Sequence, residues 1–105
     1  MGLDVNLVDE NGKVIVSLAD VEKQDGEFVL ADAIESHAAS LPHLSGVDLY
    51  GNTIFNRRQL ESVAIELAAL QKCVSDKASI HLDDVIALIG QCKNAVHTYI
   101  KFVGD

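Results

Sequence analysis

Four histidines, two cysteines, sixteen acidic and eight basic side chains are the groups in this chain that could do chemistry. His37, His43, His81 and His97 make no H-x-x-x-H pair, and none stands at a zinc-ligand spacing from a cysteine. His81 and Asp84 could share a helix start, but two ligands do not close a metal site. Cys73 and Cys92 form no C-x-x-C pair. They fall in two helical stretches, where free cysteines act as small core residues. Only Lys72 and Lys93 are close enough in sequence to activate a thiol. There is no G-x-S-x-G and no phosphate-binding glycine loop. Carboxylates are numerous enough for a two-carboxylate site, but nothing signals a perturbed pair. Arg57-Arg58 opens a helix, where cations oppose the helix dipole, so solvent, Glu61 or a partner would hold them. Tyr50 and Tyr99 suit a sheet edge or an interface equally. A non-enzyme without metal or cofactor is the expectation.

The charge pattern is the stronger signal. The 105 residues carry a net charge of −8, which argues against phosphate-backbone binding and hence against a nucleic-acid partner. Residues 1–50 hold ten acids and two bases, whereas residues 51–105 hold six of each, so the whole excess lies in the first half. Its densest part is Asp20, Glu22, Asp25, Glu27, Asp32 and Glu35, with Lys23 as the one base among them. Such a cluster either solvates the surface or steers a basic partner towards it.

The elements that must position these groups follow from periodicity. Leu3, Val5 and Leu7 alternate with polar residues, and Val14, Val16 and Leu18 follow across Asn11-Gly12, so a β-hairpin is expected with Leu7 facing Val16. Glu10 would face Lys13 in a tight turn; a longer turn with a bulge would shift that register. Residues 19–29 read as an acidic loop, with a short strand conceivable at 28–30. Leu30, Ala31, Ile34 and Ala38 predict a short helix over 31–40, ending before Pro42. Residues 47–50 read as a short extended piece and Gly51-Asn52 as a turn. Asn56 with Gln59 spells a capping box, opening a helix over 57–74 with the stripe Leu60, Val63, Ala64, Leu67, Leu70 and Val74. A second long helix is predicted over 82–95, with Asp83 and Asp84 in its first turn and Val96 ending its stripe. Thr98 to Val103 alternate as a last strand, too apolar to be left unpaired.

An apolar fraction of 49% with 23% charged residues supports a folded core, and 105 residues make a single domain. The economical packing is α+β: a three-stranded, mainly antiparallel sheet of hairpin and C-terminal strand, covered by an antiparallel pair of long helices and one short helix. No apolar run approaches the roughly 20 residues of a membrane span. The N-terminus lacks the basic start of a signal peptide. A cytoplasmic protein without a membrane partner is therefore expected.

Two stretches carry a resemblance. Asp48-Leu49-Tyr50-Gly51-Asn52-Thr53-Ile54-Phe55-Asn56-Arg57-Arg58-Gln59 and the C-terminal Thr98-Tyr99-Ile100-Lys101-Phe102-Val103-Gly104-Asp105 resemble a set of small bacterial proteins with D-x-Y-G-[DN]-T-x-F-N-x-x-Q before a long helix and Y-[LI]-K-F-x-G-D at the end. That set is similar in kind to the immunity proteins of toxin–antidote systems, including those of contact-dependent growth inhibition. The resemblance covers roughly residues 46–105. It implies an antidote that binds a cognate bacterial toxin, a nuclease with a basic cleft, and occludes its active site. The six acids between positions 20 and 35 would supply the pairing. Asp48, Tyr50 and Asn52 would either touch the toxin or serve the fold. A regulatory adaptor unrelated to toxins is the alternative.

Overall fold

The computed structural model describes residues 2–23 and 26–104. Asp25 and Asp105 lie outside these, so the readings placed on them have no structural counterpart. In chain order the elements are β1 (Leu3–Asp9), β2 (Val14–Leu18), α1 (Val29–His37), β3 (Asn52–Phe55), α2 (Arg57–Leu70), α3 (Asp76–Lys93) and β4 (Thr98–Gly104). Single 3₁₀ turns follow α1 and α2, and a third lies at Leu44–Gly46. The fold is α+β. Its antiparallel sheet has the order β2-β1-β4-β3 and is covered on one face by the helices.

The hairpin takes the longer of its two expected turns. Leu7 does pair with Val16, but Val8 then pairs with Val14, so β2 is bulged and Glu10 does not face Lys13. The cause is Asp9. Its Oδ1 accepts from the amides of both Asn11 and Lys13, while its own amide donates to Lys13 O. Gly12 closes the turn at φ +82°, a conformation that costs little without a Cβ.

β4 occupies the interior of the sheet. It pairs along its whole length with β1, from Leu3↔Gly104 to Asp9↔Thr98, and on its other side with β3. An apolar terminal strand is thereby hidden from other chains. β3 makes the sheet four-stranded where three strands were expected. The turn placed at Gly51-Asn52 lies two residues earlier, at Leu49-Tyr50, and the extended piece begins at Asn52 instead of Val47. Four residues are too few to show a period, and pairing with β4 makes them a strand. Phe55 then meets Phe102 edge-to-face, with ring centroids 5.6 Å apart.

Helix boundaries move wherever a cap decides them. The Asn56–Gln59 capping box forms in full and opens α2 as expected. α3 opens at Ser75, whose side chain accepts from the Ala78 amide, six residues earlier than the apolar stripe indicates. Asp83 and Asp84 are therefore inside the helix, and Asp76 is the acid in its first turn. α3 ends at Lys93, leaving Val96 exposed beyond it and not in the stripe. α1 begins at Val29, not at 31, and a 3₁₀ turn carries it on to Ser40. The core joins Leu3, Val5, Ile100 and Phe102 of the sheet to Leu60, Val63, Leu67, Leu82, Val85 and Ile89 of α2 and α3. Cys92 is part of this core, but Cys73 falls in the turn after α2 and is exposed.

Two glycines in these elements predict opposite outcomes. A Cβ at Gly104 would clash with the backbone at Leu49 O and stand 2.8 Å from Asp48 O. Gly104→Ala should therefore destabilise the protein by about 1–3 kcal/mol. A Cβ at Gly90, inside α3, meets nothing, so Gly90→Ala should stabilise by about 0.5–1 kcal/mol through helix propensity. Urea denaturation midpoints of the two variants check both signs.

Candidate partner-binding surfaces

The acidic segment between β2 and α1 does two different jobs. Asp20 is not on the surface expected of it: its side chain has 0% exposure. Its Oδ2 accepts from the amides of Leu3 and Ala31, and its Oδ1 from those of Val21 and Leu30. The amide of Asp20 itself donates to Asp4 Oδ1. Leu30 and Ala31 lie in the first turn of α1, whose cap position is Phe28, with no side-chain cap of its own. A helix start leaves free N–H groups that need acceptors, and here a carboxylate about ten residues upstream supplies them. Asp20 is thus a structural residue, drawn inward by amides that would otherwise be buried without partners. His81 of α3 is buried beside it. Its Nε2 stands 3.6 Å from Asp20 Oδ1 and has no hydrogen-bond partner among the described residues.

The remaining described acids do face outward. Glu22, Glu27 and Glu35 are exposed. Asp32 is half-buried and bonds Lys23 Nζ at 2.8 Å. That hydrogen bond raises the Lys23 pKa above its ordinary 10.5, opposed by desolvation and helped by the charges of Asp32, Glu27 and Asp20. The one base of the cluster is therefore already engaged. Backbone pairing holds the segment in shape: Lys23 N donates to Glu27 O, Val29 N to Val21 O, and Glu22 bridges to Phe28. Glu27, Asp32 and Glu35 line a cleft of about 230 Å³ floored by Phe28 and Ala31.

Asp48 and Tyr50 belong to a second surface. Asp48 Oδ1 accepts from the Tyr50 amide, and Thr53 Oγ1 accepts from the Asp48 amide. A Cβ at Gly51 would stand 2.6 Å from Asp48 Oδ2, so the carboxylate folds over a position only glycine leaves open. The Gly51 carbonyl accepts from Gly104 N at 2.7 Å. Through this bond and the β3–β4 pairing, residues 48–59 and 98–104 lie side by side. The result is a braced turn whose Tyr50 is 74% exposed. Asn52, next along, is exposed on β3.

Three polar contacts had no local signal in the sequence. Glu66 of α2 is buried and accepts from the amides of His43 and Leu44 and from His43 Nδ1 at 2.7 Å. This carboxylate holds the Leu44–Gly46 turn against α2. Arg57 donates to Lys93 O at the end of α3, where a cation complements the helix dipole. Gln71 reaches Ser79 O and Asp83 Oδ1, tying α2 to α3. Among the described residues, no group of three or more His, Cys, Asp or Glu side chains is placed to hold a metal ion.

Comparison of the chain with family models, curated proteins and solved structures finds no match.

The two classes of acid are separable by substitution. Asp20→Asn replaces a four-fold acceptor by an amide whose NH₂ opposes the converging N–H groups, and should cost about 3 kcal/mol. Glu35→Gln on the exposed face should stay within about 0.5 kcal/mol. Urea denaturation gives both values, and faster exchange of the Leu30 and Ala31 amides in Asp20→Asn would locate the damage.

Proposed function

We propose that this protein is a cytoplasmic immunity protein that binds a cognate bacterial toxin domain, a nuclease, and occludes its active site. The observation that carries the reading is the exposed acidic face. Glu22 and Glu27 project from a segment held by its own backbone pairing and Glu35 from α1 beside it, and the neighbouring base is engaged by Asp32. A nuclease cleft is lined with cations that attract phosphate, and fixed carboxylates can fill it in the substrate's place. Their field speeds encounter, and those desolvated on binding add affinity. The resemblance of residues 46–105 to small bacterial immunity-type proteins supports the same reading. No helix among the described residues is long and apolar enough to cross a membrane.

Coexpression with the product of the adjacent gene is the direct test. A stable one-to-one complex that relieves toxicity is expected; neither binding nor rescue would leave the adaptor reading. The association rate should fall at least about tenfold between low and high salt, because steering is screened. Glu22→Lys, Glu27→Lys and Glu35→Lys combined should slow association further at low salt. A rate that is flat in salt would overturn the acidic-face mechanism.

A further inference from the structure

We infer that β3 is a docking edge, at which an extended, acidic segment of a partner protein adds as a fifth strand, antiparallel to β3. The inference does not depend on the partner being a toxin, and it concerns a different face from the acidic segment. β3 stands last in the order β2-β1-β4-β3 and is paired on one side only. Unpaired N–H and C=O groups along such an edge are a template for another chain.

The residues flanking β3 say what would bind. At one end, Tyr50 stands 74% exposed on the turn fixed by Asp48, Thr53 and Gly104. A braced tyrosine is a low-entropy anchor for an apolar side chain. Ile54 of β3 is 57% exposed. At the other end come Arg57 and Arg58. Arg57 bonds the Lys93 carbonyl, whereas Arg58 is exposed and makes no ion pair among the described residues. Two cations at a helix start oppose the dipole, a local cost that an anionic partner would offset. In a chain with sixteen acids, none lies between Asp48 and Glu61. An added strand antiparallel to β3 would lay its N-terminal end by Arg58 and its C-terminal end by Tyr50. It should therefore carry carboxylates first and an apolar residue last. The opposite edge, β2, fits such a segment poorly: it is bulged and runs into Asp20 and Glu22.

The test uses the full chain and an acetylated, amidated octapeptide, Glu-Glu-Thr-Val-Thr-Val-Thr-Phe, followed by amide NMR. Binding with a dissociation constant on the order of 1 mM or tighter is expected for a peptide of this size. Shifts should concentrate at Asn52–Phe55. Of the two alternate sets of peptide amides, N-methylation of the set that faces β3 should abolish binding, because strand pairing runs through the main chain of every other residue. Arg58→Glu should weaken it at least about threefold, with the loss shrinking in high salt. That variant places an acid in the first turn of α2, which favours the helix, so a retained thermal transition shows that the loss is not unfolding. No binding up to about 2 mM, shifts at Val14–Leu18 instead, or binding that survives N-methylation of both sets in turn would each overturn the inference.

Discussion

Four backbone amides converge on the carboxylate of Asp20, and the N-terminal half of the fold is arranged around that point. Leu3 brings the start of β1, Val21 the segment after β2, and Leu30 and Ala31 the start of α1. Buried amides without acceptors cost more than most single contacts supply, so one polar side chain inside the protein is stabilising where an apolar one would leave four donors unpaired. α1 can begin directly after a phenylalanine because its cap comes from another part of the chain. The two flanks of the acidic segment are in turn held through Asp20 and through the pairing of residues 21–23 with 27–29. Glu66 repeats the device on the other side of the core, where it holds the turn at His43 and Leu44.

The second organising feature is the central place of the last strand. β4 lies between β1 and β3, so the chain's two halves are joined through its final residues. β3 is a strand because β4 is beside it, and Gly104 can close on Leu49 and Gly51 because it carries no side chain. Residues 48–59 and 98–104 are thus one structural unit: a braced turn, two paired strands and the start of α2. Most of their residues have a fold-level reason to be as they are. Asp48 and Thr53 build the turn, Gly51 leaves room for the Asp48 carboxylate, Gly104 allows the close approach to Leu49, Phe55 packs on Phe102, and Asn56 and Gln59 cap α2. Tyr50, Asn52, Ile54 and Arg58 are left facing outward without such a reason, which makes them the candidates for contact.

The charge asymmetry of the sequence becomes an asymmetry of surfaces. The acids around α1 stand on one surface, while the edge of β3 and the start of α2 lack acids and carry two arginines. A protein with these two faces can meet a basic cleft with one and an extended acidic segment with the other. Both recognition modes need little rearrangement, since each surface is held by hydrogen bonds within the fold, and preorganisation lowers the cost of binding.

Neighbours in the chain decide the local elements. The alternation of Leu3, Val5 and Leu7 specifies β1, Asn56 and Gln59 the start of α2, and the stripe Leu60, Val63 and Leu67 the face that α2 buries. The mixed class follows from their order. The functions of individual polar groups are settled by distant parts of the chain. Asp20 reads as one acid among six, yet its partners are 10, 11 and 17 residues away in the chain, besides its own neighbour Val21. Glu66 reads as one more polar position on an amphipathic helix, yet it serves amides 22 and 23 residues away. Residues 52–55 carry strand-forming side chains in a run too short to show a period. The physical reason is the same in each case. Burial of an apolar face leaves a periodic trace in sequence, whereas satisfying a buried amide needs one acceptor from anywhere the chain returns to, and that return is fixed only when the core closes.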